Sequence, residues 1–188
     1  MPIVYEAVPP ASLDALDAGQ ALLAQGEANL RAMLERASGN TAAHQPHRMV
    51  LLPAQHLDKP QLQQFFVPTG WRYIGNLNGV DYSVEVGCDA AEQQHAFAMI
   101  NFGPYIEATR AGLAIAEQHP DISAHPYHFA LLHVPAVPLL ALYFHTDTDA
   151  PPYAMVLSPL SVDPSRSQQL LPIAEFLMVL EKEQGKAS

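Results

Sequence analysis

A chain of 188 residues, 49% hydrophobic and 15% charged, can bury a core without a metal or a disulfide, and its 17 prolines exclude a coiled coil. Nineteen acidic side chains against nine basic ones give a formal charge of −10, which repels phosphate backbones and anionic membranes and favours basic partners. The single cysteine, Cys88, excludes an internal disulfide.

The opening MPIVYEAVPP has neither the basic start nor the long apolar stretch of a secretory signal, so a cytoplasmic protein is expected. From Ser12, an N-cap candidate, to Gly39 the spacing predicts an amphipathic helix, with Leu16, Leu23 and Leu30 at heptad intervals beside Leu13, Met33 and Leu34. The leucine stripe is expected to face the core, with a docking or dimer seam as the alternative. Residues 40 to 70 carry Pro46, Pro53, Pro60 and Pro68 and read as a wrapped connection, with room for a strand, HRMVLLP, and a short helix after Asp58.

From Trp71 the period changes to two. WRYI, the turn residues NLNG and VDYSVEV predict a hairpin, HAFAMINF a third strand, and GPYIEATRAGLAIAEQHP a helix with Pro104 in its first turn, Ile106, Leu113 and Ala116 on one side and Pro120 beyond its end. Residues 71 to 119 thus form one βββα unit. The order returns over residues 127 to 184, with strands YHFALLHV, LLALYFHT and YAMVLS and a mainly helical SRSQQLLPIAEFLMVLEKEQ bent at Pro172. In the middle strand Leu140, Leu142 and Phe144 alternate with Leu139, Ala141 and Tyr143, so both of its faces should be covered and it should be central.

The expected class is therefore α+β in a single domain over residues 1 to 188: an N-terminal amphipathic helix followed by two βββα units with mainly antiparallel sheet. This order over residues 12 to 184 resembles, in architecture, that of small acidic secretion chaperones. The resemblance implies a protein that dimerises and holds segments of a partner. The longest apolar run, residues 129 to 144, is interrupted by His133, Pro135 and Pro138 and falls short of the ~20 residues of a membrane helix.

Residues 119 to 147 hold five histidines: His119, His125, His128, His133 and His145. A continuous strand over 127 to 134 puts His128 and His133 on opposite faces, so they cannot share a metal. If residues 135 to 138 form a four-residue hairpin loop, pairing Val134 with Leu139 brings His128 opposite His145, with Asp147 two residues further on. A divalent metal such as zinc could then be held by two histidines and a carboxylate. His44 and His47 have metal-like spacing but no Cys or acidic companion, so a solvated loop is expected there. Cys88 could be approached by His95 across a loop, although nearby Asp89 and Glu92 would oppose thiolate formation.

Trp71, Tyr73 and Tyr82 near the NLNG turn are candidates for anchoring a partner, or else fill the covered face of the sheet. No nucleophile elbow, phosphate loop or dinucleotide fingerprint is present. The leading expectation is a non-catalytic, protein-binding module such as an acidic chaperone, inhibitor or accessory subunit. It would need no cofactor, bind neither nucleic acid nor membrane, and could form a homodimer. The alternatives are a metal-dependent, hydrolase-type enzyme built on His128, His145 and Asp147, and a small-molecule binding domain.

Overall fold

Helix α1 (Pro10–Gly26) opens on a proline, whose fixed φ suits a first turn and whose missing N–H is no loss there. Strands β1 (Gln45–Leu51), β2 (Val67–Leu77), β3 (Val80–Cys88) and β4 (His95–Phe102) follow, then helices α2 (Pro104–Gln118) and α3 (Pro120–Ala124). Strands β5 (His128–Val134), β6 (Leu139–His145), β7 (Tyr153–Val156) and β8 (Leu170–Pro172) lead into helix α4 (Ile173–Ala187). The computed structural model describes residues 3–26, 45–57, 59, 61–77, 80–137, 139–158 and 164–187. Among them the chain has the expected α+β class, with four α-helices and eight strands in a mainly antiparallel sheet of order β4-β3-β2-β1-β5-β6-β7-β8. Contacts divide it into two compact units: Met1–Tyr5, Met49–Val67 and Glu107–Ser188 make the first, Glu6–Arg48 and Pro68–Ile106 the second.

In the first unit β5, β6, β7 and β8 pair successively and antiparallel. The loop after β5 sets Val134 opposite Leu139, the expected register. Central β6 then feeds two cores. Leu139, Ala141 and Tyr143 pack with Leu132, Val156 and, from α4, Phe176 and Leu180. Leu142 and Phe144 turn to the other face, where Leu113 and Ala116 of α2 and Ile122 of α3 cover them. Both faces are buried because strand side chains alternate and a helix layer lies on each side.

One expectation for this unit is corrected. Pro172 does not bend a helix: it ends β8, and α4 starts at Ile173, since a helix interior has no place for a residue without an N–H. Pro120 lies beyond the end of α2, as expected, and there opens the short helix α3, at the N-terminal position where its ring is tolerated.

In the second unit β2, β3 and β4 form an antiparallel meander; the expected hairpin is present, but its strands run on past the expected turn residues Asn76 and Leu77 until Leu77 stands opposite Val80. The register shift between Glu85 and Val86 leaves Ala98 as an extra residue in β4, a bulge. Helix α1 lies against β4 at Gly19, where a Cβ would come within 2.1 Å of the Phe97 ring, so only glycine permits the approach. Leu16 is buried as expected, whereas Leu13 is exposed. Ser12 does not cap the helix, which begins two residues earlier; its hydroxyl, fully buried, lies 2.6 Å from the Tyr73 hydroxyl. The expected end at Gly39, with Leu30, Met33 and Leu34, lies outside the described residues, as does His44. The side chain of Leu23 is likewise outside them, while His47 is fully buried.

Candidate functional site

The hairpin register brings His128 and His145 face to face, their ring centroids 5.6 Å apart and their planes 23° from parallel. Imidazole lone pairs lie in the ring plane, so near-parallel stacked rings aim them along the planes and not at a point between them. Asp147 stands exposed, two residues past the end of β6, and His133 pairs with Leu140 on the other parity. Among the described residues no three His, Cys, Asp or Glu side chains gather as a metal-holding group.

Trp71, Tyr73 and Tyr82 are all buried, packed with Leu16, Val84 and Val86 on the face that α1 covers. Burial raises the Tyr73 pKa, partly offset by the hydrogen bond to Ser12, and raises that of Tyr82. Their rings fill a sheet face and offer none of the accessible surface that a binding anchor needs.

Cys88 and His95 are cross-strand partners of β3 and β4. Burial pushes the thiol pKa up, Glu92 and Asp89 push it further, and Arg48 acts the other way. Both carboxylates are engaged elsewhere: Asp89 Oδ1 accepts the backbone N–H groups of Gln93 at 2.7 Å and Gln94 at 3.1 Å within the turn, and Glu92 pairs with Arg48 of β1. A protonated thiol beside acidic groups is a poor nucleophile.

One constellation had no signal in the sequence, because its members come from two separated stretches of the first unit, residues 121 to 127 and 149 to 153. Tyr153 of β7 donates its hydroxyl hydrogen to Asp121 Oδ2 at 2.6 Å, and Tyr127 donates to the carbonyl of Pro151 at 2.8 Å. Both line an open cavity of about 380 Å³ shared with His125 and Asp149. The bond to Asp121 and then burial hold the Tyr153 pKa up at about 12, against an ordinary value of 10.0. A raised folded pKa favours the neutral phenol, so this contribution to stability is complete below the ordinary value and is lost as pH rises through about 12. The alkaline phenolate absorbance of the wild type minus that of Tyr153→Phe is expected to rise with a midpoint near the higher value. A midpoint at the ordinary tyrosine value would mean that the Asp121 bond is not made.

The remaining feature is the edge of the second unit that is unpaired among the described residues. Strand β4, HAFAMINF, contains no Asp, Glu, Lys or Arg, and among the described residues it pairs with β3 alone. Met99 and Phe102 are each 48% exposed, and Tyr105 just beyond them is 47% exposed. Natural edge strands are usually guarded by charge, proline or a bulge. Here the bulge at Ala98 is the only one of these devices, and after it Met99 to Phe102 run on as uncharged extended chain. Side-chain alternation made the strand legible in the sequence, but its place at the edge depends on strand order.

No protein-family model, no curated protein and no solved structure matches this chain.

Proposed function

We propose that this protein acts by binding an extended, basic segment of another protein along the free edge of β4, as an acidic chaperone, inhibitor or accessory subunit would. The supporting observation is the uncharged, half-exposed edge itself, since an added strand gains main-chain hydrogen bonds from the edge and side-chain specificity from residues such as Met99 and Phe102. Charge selects the occupant. A second copy would bring another −10 to the interface, whereas a lysine- or arginine-rich segment is drawn in. No helix among the described residues is long and apolar enough to cross a membrane, and we place the protein in the cytoplasm on its single cysteine.

Hydrogen exchange of the full chain tests this with two probe peptides, one alternating lysine and valine, the other glutamate and valine. The basic peptide is expected to slow exchange in residues 95 to 102, and the acidic peptide to leave it unchanged. Met99→Lys, at an exposed position, should abolish the slowing without lowering the melting temperature. Equal protection by both peptides, or a free protein that is already a dimer with these amides protected, would overturn the proposal.

A further inference from the structure

Strand alternation turns Arg72 to the side of β2 away from Trp71. There Arg72 stands opposite Glu85 across the β2–β3 ladder, and Ser83 opposite Asn101 across the β3–β4 ladder. Arg72 donates to Glu85 Oε1 through Nε at 2.9 Å and Nη2 at 2.6 Å, and Asn101 Nδ2 donates to the same oxygen at 3.1 Å. This clamp fixes the guanidinium but leaves its buried Nη1 with no acceptor among the described residues. The hydroxyl of Ser83, a side chain with no solvent exposure, has no partner among them either. Buried donors are almost always satisfied, and each one that is not calls for an explanation.

Arg72, Ser83 and Asn101 line a cavity of about 180 Å³ that lies wholly within the second unit. The rest of its wall is residues 102 to 106, where Gly103, at φ +141°, leads through Pro104 into the first turn of the 15-residue helix α2. A helix N-terminus favours negative charge. The residues that carry these two donors and the first turn of α2 thus line one small space whose walls are partly apolar.

We propose that this cavity binds a small monocarboxylate, its oxygens accepting from Arg72 Nη1 and Ser83 Oγ at the start of α2 while a short apolar body lies against Phe102, Tyr105 and Ile106. One negative charge is what the site accommodates. Arg72 is already paired with Glu85, so a dianion would meet that carboxylate with no spare cation to offset it. Size agrees, since at about 30 Å³ per water the cavity holds roughly six water-sized groups. The site shares Phe102 with the edge of β4, but its two donors, Arg72 and Ser83, belong to β2 and β3, so its binding of a carboxylate is tested apart from peptide binding at that edge.

Sodium butyrate titrated into the full chain, against sodium chloride at equal ionic strength, is read by heteronuclear NMR of the Arg72 side chain and the backbone amides of residues 101 to 106. Saturable shifts are expected with butyrate, none with butyramide, and weaker ones with inorganic phosphate. Ser83→Ala removes one hydrogen bond to the carboxylate, so affinity should fall on the order of 10-fold. Its melting temperature should not fall, because the hydroxyl has no partner in the free protein. The double variant Arg72→Gln with Glu85→Gln removes the ion pair as a whole, leaves no lone buried charge, and should lose saturation. Trialanine with a free or an amidated C-terminus separates the sources: a free-acid peptide that binds more tightly than butyrate assigns the site to a chain end, and weaker binding assigns it to a free acid. The proposal is overturned if butyrate does no more than chloride, if butyramide matches butyrate, if phosphate binds more tightly, or if Ser83→Ala binds butyrate as the wild type does.

Discussion

Alanine at position 70 is expected to unfold the β2–β3 hairpin or leave it barely stable. Gly70 has φ +144°, a conformation that residues with a Cβ rarely adopt, and an added Cβ would lie 2.0 Å from the carbonyl oxygen of Val86 and 2.9 Å from the Cα of Gly87. Both are backbone atoms of the partner strand, so relief requires the ladder to part and no rotamer change can supply it. Backbone strain alone costs on the order of 1–3 kcal/mol, and the clash adds a further ~1–3 kcal/mol. Trp71, the only tryptophan in the chain, is the adjacent residue and is buried, so its fluorescence during urea unfolding reports on this hairpin directly. Gly87→Ala is the control: its Cβ would have its nearest contact at 3.8 Å, and a change within about 1 kcal/mol is expected. Equal urea midpoints for Gly70→Ala and the wild type would show that the strands do not meet as described.

Phe144→Ala is expected to cost about 3–5 kcal/mol, the usual loss for emptying a buried aromatic site. Phe144 has no exposure, sits in a strand paired on both sides, and packs with Phe129, Leu131 and Met155 under the helices of the first unit. Neighbouring strands and the covering helices leave the site little freedom to collapse. Met178→Ala on α4, at 53% exposure, should change stability by no more than about 0.5 kcal/mol. Urea unfolding followed by circular dichroism measures both. A small loss at Phe144 would mean that its ring is not packed between β6 and the covering helices as described.

Most of the fold was legible because its strands state their own period. HFALLHV, LLALYFH and HAFAMINF appear where alternation and turn residues put them, and the loop between Val134 and Leu139 followed from Pro135 and Pro138 at its ends. Pro172 departs from expectation because a helix interior has no place for proline, so the bend expected there is the end of a strand, and β8 is recognisable only through its pairing with β7. Ser12 has the residue type of a cap, but a hydroxyl bonds whatever lies nearest, and Tyr73, 61 residues away in sequence, lies nearest.

The candidate sites divide in the same way. Facing His128 with His145 required only a hairpin register, and that much a sequence can supply. Pairing Tyr153 with Asp121, aligning Arg72 with Glu85, Ser83 and Asn101, and leaving β4 at an edge each required contacts between residues far apart in the chain. Local period and turn chemistry therefore determined the elements, their order and the two-faced burial of β6, because those forces act over a few residues. Tertiary structure alone decided which polar groups share a cavity, which carboxylate raises the Tyr153 hydroxyl pKa, and which strand stands at an edge among the described residues, because burial and electrostatics depend on distance in space and not on separation along the chain.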